Sequence, residues 1–340
     1  MTTTTMGLKP NRRLSPNGNG KAKATVKPTR TVPSLVSDLR ELQRQRVAFQ
    51  KSRIKIDNRL VANVATTRGY HAGMEDEERL AHFDAARRII DGVRGGSGTE
   101  AGSNCALAPL IQAVSVSRDA FFAYEKGIEA EMERLAKQLP VYPWSIRTDQ
   151  RGLGLLSLAI IIGEAGDLSN YDNPGKLWRR MGCAPIESKG QMHMGSTWRS
   201  RKKENGGLSA SEWEDAGYSP RRRSVMYVIA ESLLKGNSER TANPETGRKA
   251  MPAGPYRLRY DLKKAEAIAR NDPAWTPPCA TCKGTGKTKA GAECKKCGGR
   301  GFMQMRPHLH GMLLAGKLAL RELWTEWVYV VDGVEPKPWR

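Results

Sequence analysis

Between residues 279 and 301 the chain writes one pattern twice. Cys279-Ala-Thr-Cys282-Lys-Gly284-Thr-Gly286 and Cys294-Lys-Lys-Cys297-Gly-Gly299-Arg-Gly301 are both C-x-x-C-x-G-x-G. A C-x-x-C turn presents two thiolates on one side of a tight loop, and two such turns complete the shell of one tetrahedral ion. Glycines after each pair permit the positive φ values that these turns need. The pattern predicts one structural zinc ion held by Cys279, Cys282, Cys294 and Cys297, with no open position for catalysis. A unit this small depends on its metal to fold. Lys283, Lys287, Lys289, Lys295, Lys296 and Arg300 make it basic, which suits either a phosphate-facing hairpin or a plain zinc staple.

The whole chain shares that basic character. Its formal net charge is +21, and its pI is about 9.9. Such an excess attracts polyanions and releases their counterions on binding, so it speaks of partners rather than of fold. No apolar run approaches the roughly 18 residues of a membrane span. The longest stretch, Leu155 to Ile162, is interrupted only by Ser157 and has the length of a core helix. The N-terminus is basic and lacks the apolar block of a secretory signal. Six cysteines, four of them in a metal pattern, fit a reducing compartment better than a disulfide framework. These features predict a cytoplasmic, nucleoid-associated protein of a bacterium or phage. Cys105 and Cys183 stand outside the pattern, as small buried apolar side chains.

Periodicity predicts a mainly α protein, with an N-terminal helical coiled-coil or hairpin region. Residues 1–33 have little to bury and read as a disordered basic arm. From 34 to 139 the pattern is helical. Leu35, Leu39, Leu42, Arg46, Phe49, Arg53, Ile56 and Leu60 form a heptad seam in which two positions are arginine. That seam suits another helix of the same chain or of a second copy. Helices are also expected over 77–93 and 108–139, and an antiparallel pairing of the first with the third buries both apolar stripes. The carboxylates Glu75 to Glu78 fit a helix start, where they favour the dipole.

After Pro140 the character changes, and 140–271 reads as a DNA-binding domain. Asn173-Pro174 marks a capped helix start and Gly182 a helix stop. Residues 189–218 are polar and predict loops or short strands. Helices follow over 221–235 and 256–270. Residues 272–304 form the zinc insertion, a terminal helix over 305–330 closes the domain, and 331–340 is a tail. Trp144, Trp178, Trp198, Trp213 and Trp275 alternate with basic residues, which suits base stacking or core packing.

Two resemblances follow from these residues. The cysteine repeat resembles half of the cysteine-rich zinc domain of DnaJ chaperones. Gly152-Leu-Gly154 ahead of an apolar helix resembles a helix-hairpin-helix, whose turn grips phosphate through backbone N–H groups. Within 152–185, the residues Gly152, Gly154, Ala159, Glu164, Gly166, Asp167, Tyr171, Leu177, Gly182, Ala184 and Pro185 match the core of insertion-sequence-110 and pilin-invertase-type transposases. The resemblance resumes in 220–235 and in 310–327. It implies a DNA recombinase of a mobile element or phage, acting on DNA, alone or with a guiding RNA. It also implies a serine nucleophile shortly after Pro185, which is Ser188, with Ser196 as second choice. Lys189, Arg199, Arg201, Lys202, Lys203, Arg221, Arg222 and Arg223, with the backbone of Gly152 and Gly154, become candidate nucleic-acid contacts. The family's nuclease-like domain has no counterpart before residue 140. A Mg2+-dependent step is therefore expected from a partner protein, and the alternative is a non-catalytic nucleic-acid-binding accessory protein.

Overall fold

The computed structural model describes residues 31–95, 106–147, 151–188, 190–193, 208–270, 272, 275–288 and 291–335. The protein is mainly helical. Its β structure, among those residues, is one two-stranded hairpin and a few isolated bridges. Among the described residues no helix is long and apolar enough to cross a membrane.

Three long helices open the chain: α1 (Val32–Thr67), α2 (Asp76–Gly95) and α3 (Ala108–Ala136). Helix α1 starts with Pro33 in its first turn, where the missing N–H costs nothing. Helix α2 starts with Asp76, Glu77 and Glu78, which favour the dipole at that end. α1 and α3 pack antiparallel, and this pairing explains the two arginines in the seam. Arg46 reaches Glu129 at 2.7 Å and Arg53 reaches Glu125 at 3.0 Å, with both carboxylates almost fully buried. Between them Phe49 stacks on Tyr124, with ring centres 5.4 Å apart. The positions that make a poor apolar coil are thus ion-paired within the chain.

The hairpin of long helices contributes to two cores. Near its tip Leu60, Val64, Ile89, Ile90 and Ile111 join α1, α2 and α3. At its base Leu35, Leu39, Met132, Leu135 and Leu139 belong to the main core, with no break in apolar packing at residue 139. The rest of that core comes from α5 (Leu155–Ala165), α6 (Pro174–Arg180), α8 (Pro220–Gly236), α9 (Pro255–Ala269) and α10 (Met305–Trp327). A four-residue turn of helix, α4 (Tyr142–Ser145), leads from α3 toward α5 and buries Trp144.

Between α6 and α8 lie β1 (Ile186–Ser188), β2 (Gln191–His193) and the short α7 (Ala210–Asp215). The strands pair antiparallel, with Ile186 opposite His193 and Ser188 opposite Gln191 at the turn. Helix α7 departs from the loop-or-strand expectation for 189–218. Its start is a capping box, in which the Ser209 hydroxyl accepts from the Glu212 N–H while Glu212 accepts from the Ser209 N–H. The helix seats Trp213 in a small cluster with Ile186, Leu208 and Tyr218.

Candidate metal centre and basic surface

The cysteine module is the connection between α9 and α10, two helices packed on each other. Its two repeats are related by a pseudo-twofold. The Cys279 N–H donates to the Gly301 carbonyl at 2.8 Å, and fifteen residues on, the Cys294 N–H donates to the Gly286 carbonyl at 2.8 Å. The bridges Pro278 with Phe302 and Lys287 with Glu293 obey the same exchange. Where the repeats cross, backbones meet. A Cβ on Gly286 would lie 2.1 Å from the Gly299 carbonyl oxygen, and one on Gly301 would lie 2.3 Å from that of Gly284. The glycines of the motif are therefore needed for close approach as well as for positive φ. One position breaks the symmetry. Gly298, after Cys297, has φ +58°, and its counterpart Lys283 is held at φ +51° despite its side chain.

All four sulfurs are buried and lie within 4.8 Å of one another. Cys279 Sγ is 3.9 Å from Cys294 Sγ, and Cys282 Sγ is 3.7 Å from Cys297 Sγ. A tetrahedral metal–thiolate site with bonds of about 2.3 Å has sulfur–sulfur edges of roughly 3.8 Å. A disulfide would need about 2.05 Å. The geometry fits a single four-coordinate metal ion. Backbone N–H groups of Cys282 and then Thr281 stabilise the Cys279 thiolate and bring its pKa down to about 6. Burial pushes the Cys297 thiol up to about 11, although the Gly301 N–H donates to its sulfur at 3.3 Å. Four thiolates cannot share so small a volume without a cation to hold them. Among the described residues this is the one cluster of His, Cys, Asp or Glu arranged to hold an ion. His308 and His310 lie elsewhere on α10, against Tyr260 and Trp275.

The second region of interest surrounds α6 and the start of α8. Asn173 caps α6 by accepting the Lys176 N–H at 3.1 Å, and Pro174 follows it. At the other end Gly182, with φ +68°, ends the helix in a Schellman motif: Cys183 N–H bonds the Trp178 carbonyl and Gly182 N–H bonds that of Arg179. Gly182 also lies against α8, where a Cβ would stand 3.0 Å from that of Arg223.

The three arginines predicted to face nucleic acid have partners inside the protein. Arg221 grips Glu164 with both terminal nitrogens, and Arg222 Nε reaches the same carboxylate at 3.2 Å. Arg223 donates to the Gly182 carbonyl at 2.9 Å and to Tyr227 Oη at 3.0 Å. Gln43 of α1 adds a bond to Glu164 at 2.7 Å, and Arg180 Nε donates to the Glu164 backbone carbonyl at 3.3 Å. Arg40 lies over the adjacent Gly166. Burial alone would push the Glu164 carboxyl up. The bonds from Arg221 and Gln43 and the charges of Arg221 and Arg222 outweigh it and hold the group below the ordinary carboxylate range. Nothing local marks Arg40 and Gln43, whose partners are more than a hundred positions away, or Arg180, whose partner lies on the preceding helix.

Of the other candidates, Gly152 stands against the last turn of α8, where a Cβ would be 2.7 Å from the Leu233 Cα and the Ser232 carbonyl oxygen. Its φ of +89° and this close approach assign it a packing task. Asn237, fully buried, fastens the turn by donating to the Arg151 carbonyl. Gly154 is exposed, with open space around it at the N-cap of α5. Ser188 ends β1, opposite Gln191 at the hairpin turn. Lys189, Ser196, Trp198, Arg199, Arg201, Lys202, Lys203 and Cys105 lie outside the described residues. Trp144 and Trp213 are buried and so are closed to base stacking, whereas Trp178 is partly exposed under Lys317.

Comparison with known proteins finds no matching family, no matching curated protein and no matching solved structure.

Proposed function

We propose that this chain is a nucleic-acid-binding protein of the transposase and site-specific recombinase class, with zinc in its cysteine module. The observation that carries the reading is spatial. The stretches 152–185, 220–235 and 310–327, which carry the sequence resemblance, are far apart in the chain and pack into one unit. Glu164 takes Arg221 and Arg222. Asp167 accepts from Trp327 Nε1 at 3.0 Å, and the Tyr171 carbonyl accepts from Trp324 Nε1 at 2.9 Å. Trp178 Nε1 donates to the Lys317 carbonyl at 3.0 Å. Residues of the resemblance thus serve as one another's partners, which a chance likeness in three separate segments does not require.

In this reading the turn at Gly152 and the exposed N-terminus of α5 form a helix-hairpin-helix-like element, with Gly154 and the first N–H groups of α5 facing a phosphate. The zinc module is a structural knuckle. Thiolate-only ligation at these spacings favours zinc. Ser188 is the nucleophile. Its Oγ attacks the phosphorus of a phosphodiester, its proton leaves to a base or to solvent, and the departing strand takes the bond electrons as its free hydroxyl end. The phosphoserine bond keeps the energy needed for a second hydroxyl to rejoin the strand.

A second reading, a DNA-binding accessory protein without strand cleavage, is favoured by the lack of any carboxylate cluster arranged for Mg2+ among the described residues. One experiment separates the two. Labelled DNA incubated with the full chain and then denatured yields a covalent adduct under the first reading, and Ser188→Ala removes the adduct while binding persists. Binding with no adduct in the wild type selects the accessory protein. An adduct that survives the substitution removes Ser188 from the role.

A further inference from the structure

Lys317, in the middle of α10, is partly buried, with its ammonium 5.1 Å from the centre of the Trp178 ring. Arg223, near the start of α8, has its guanidinium carbon 5.2 Å from the centre of the Tyr227 ring. The two cations flank Cys183, a buried neutral thiol that compensates neither. They are near enough to repel: burial first lowers the pKa of Lys317, Cys183 opposes that shift, and the charge of Arg223 lowers it further. Among the described residues no carboxylate lies within ion-pair distance of either. The half-buried cations Arg46, Arg53, Arg221 and Arg222 each have one.

An unpaired cation taken partly out of water opposes folding, and a like charge beside it opposes folding further. The fold nevertheless holds both in place. Arg223 is fixed by its bonds to the Gly182 carbonyl and Tyr227 Oη, which occupy two of its five donors. Lys317 is fixed by the Trp178 face beneath it, and the Trp178 ring is itself bonded to the Lys317 backbone carbonyl. The result is a rigid pair of cations with spare donors, walled by two aromatic rings and short of one anion.

We infer that Lys317 and Arg223 form a binding site for one phosphate group of a nucleic-acid strand. The inference rests on the nucleic-acid reading above and gives it a defined contact. Lysine serves as the point charge, and the held guanidinium supplies directed donors. The site adjoins Cys183, Ala184 and Pro185, which lead straight into β1. Ser188 lies five residues beyond Cys183, within about 16 Å at strand extension. A strand anchored here by one phosphate passes close to the hairpin that ends in Ser188.

The test is DNA affinity against salt concentration for the full chain, Lys317→Gln, Lys317→Arg, and Lys51→Gln as a charge-matched change on the exposed face of α1. Loss of one phosphate contact lowers the slope of log affinity against log salt by about one. That loss is expected in Lys317→Gln and in neither of the other two. Without ligand, Lys317→Gln is expected to melt higher than the wild type, since an unpaired charge has been removed. In the wild type, DNA is also expected to slow acylation of Lys317 by an amine-reactive ester, followed by mass spectrometry, a readout that needs no variant to fold. A wild-type slope in Lys317→Gln, or unslowed acylation under saturating DNA, overturns the site alone. Failure of the wild-type chain to bind DNA or RNA overturns the nucleic-acid reading and this site with it.

Discussion

Two buried ion-pair networks in this protein use the same residue types to opposite ends. Between α1 and α3, the half-buried arginines Arg46 and Arg53 meet Glu125 and Glu129, cation for carboxylate, with the exposed Lys126 on the outer side of Glu129. At the end of α5, Glu164 alone faces Arg221 and Arg222, with Arg180 on its backbone carbonyl and Arg40 over Gly166. The first network closes on itself and specifies which helix pairs with which. The second holds a surplus of fixed positive charge on three rigid elements, and Lys317 with Arg223 extends it. Charge left over after pairing, and not buried charge as such, marks the surface suited to a polyanion.

The cysteine module is a third arrangement, whose geometry fits a metal ion as the compensating charge, and chelation is the most disruptive test. Chelation under reducing conditions should make four thiols reactive toward a thiol reagent while leaving most far-ultraviolet helical signal, because the helices on either side pack through the main core. A parallel loss of the whole helical signal would show that the module is not an independent compensated unit.

Next in size is Glu164→Ala, which strips two half-buried cations, Arg221 and Arg222, of their one carboxylate. It should cost about 3–5 kcal/mol in urea unfolding. Glu129→Ala should cost less, about 1–3 kcal/mol, because Arg46 still has Glu125 at 3.8 Å. Equal costs would break the contrast between the two networks.

Acid should act on both networks through the same sign. Glu129 is subject first to burial, which raises its pKa, but the bonds from Lys126 and Arg46 prevail, and Glu164 behaves likewise. With both folded pKa values below the ordinary carboxylate value of about 4.3, their stabilisation is complete above that value. It is lost as pH falls through the lower, folded values. Glu164→Gln should therefore flatten the acid limb of the stability curve, measured by denaturant unfolding between neutral and acidic pH. An unchanged acid limb would remove Glu164 from the account. The smallest effect concerns the asymmetric position of the knuckle. Lys283→Gly relieves a left-handed backbone and should raise the melting temperature of the metal-loaded chain, with a gain of up to about 1 kcal/mol.

Much of this was legible in the chain itself. Helix starts at Asn173-Pro174 and Ser219-Pro220 and the stop at Gly182 rest on contacts within a few residues, and the four cysteines were legible from the repeated spacing of one short motif. The capping box at Ser209 and Glu212 is equally local, but the helix it starts has only six residues and little apolar pattern to mark it. Other features depended on packing. The heptad arginines looked like defects until α3 supplied Glu125 and Glu129. Gly152 is legible as a turn glycine, but the α8 backbone packed against it is not. The convergence of Arg40, Arg180, Arg221 and Arg222 on the end of α5, and the pairing of Lys317 with Arg223, join residues from helices far apart in the chain. Local sequence determines where a helix begins, ends and turns its apolar side, because those interactions span a turn or two. Which charges end up neutralised, and which are left facing outward, was decided only when the helices packed and chose one another's partners.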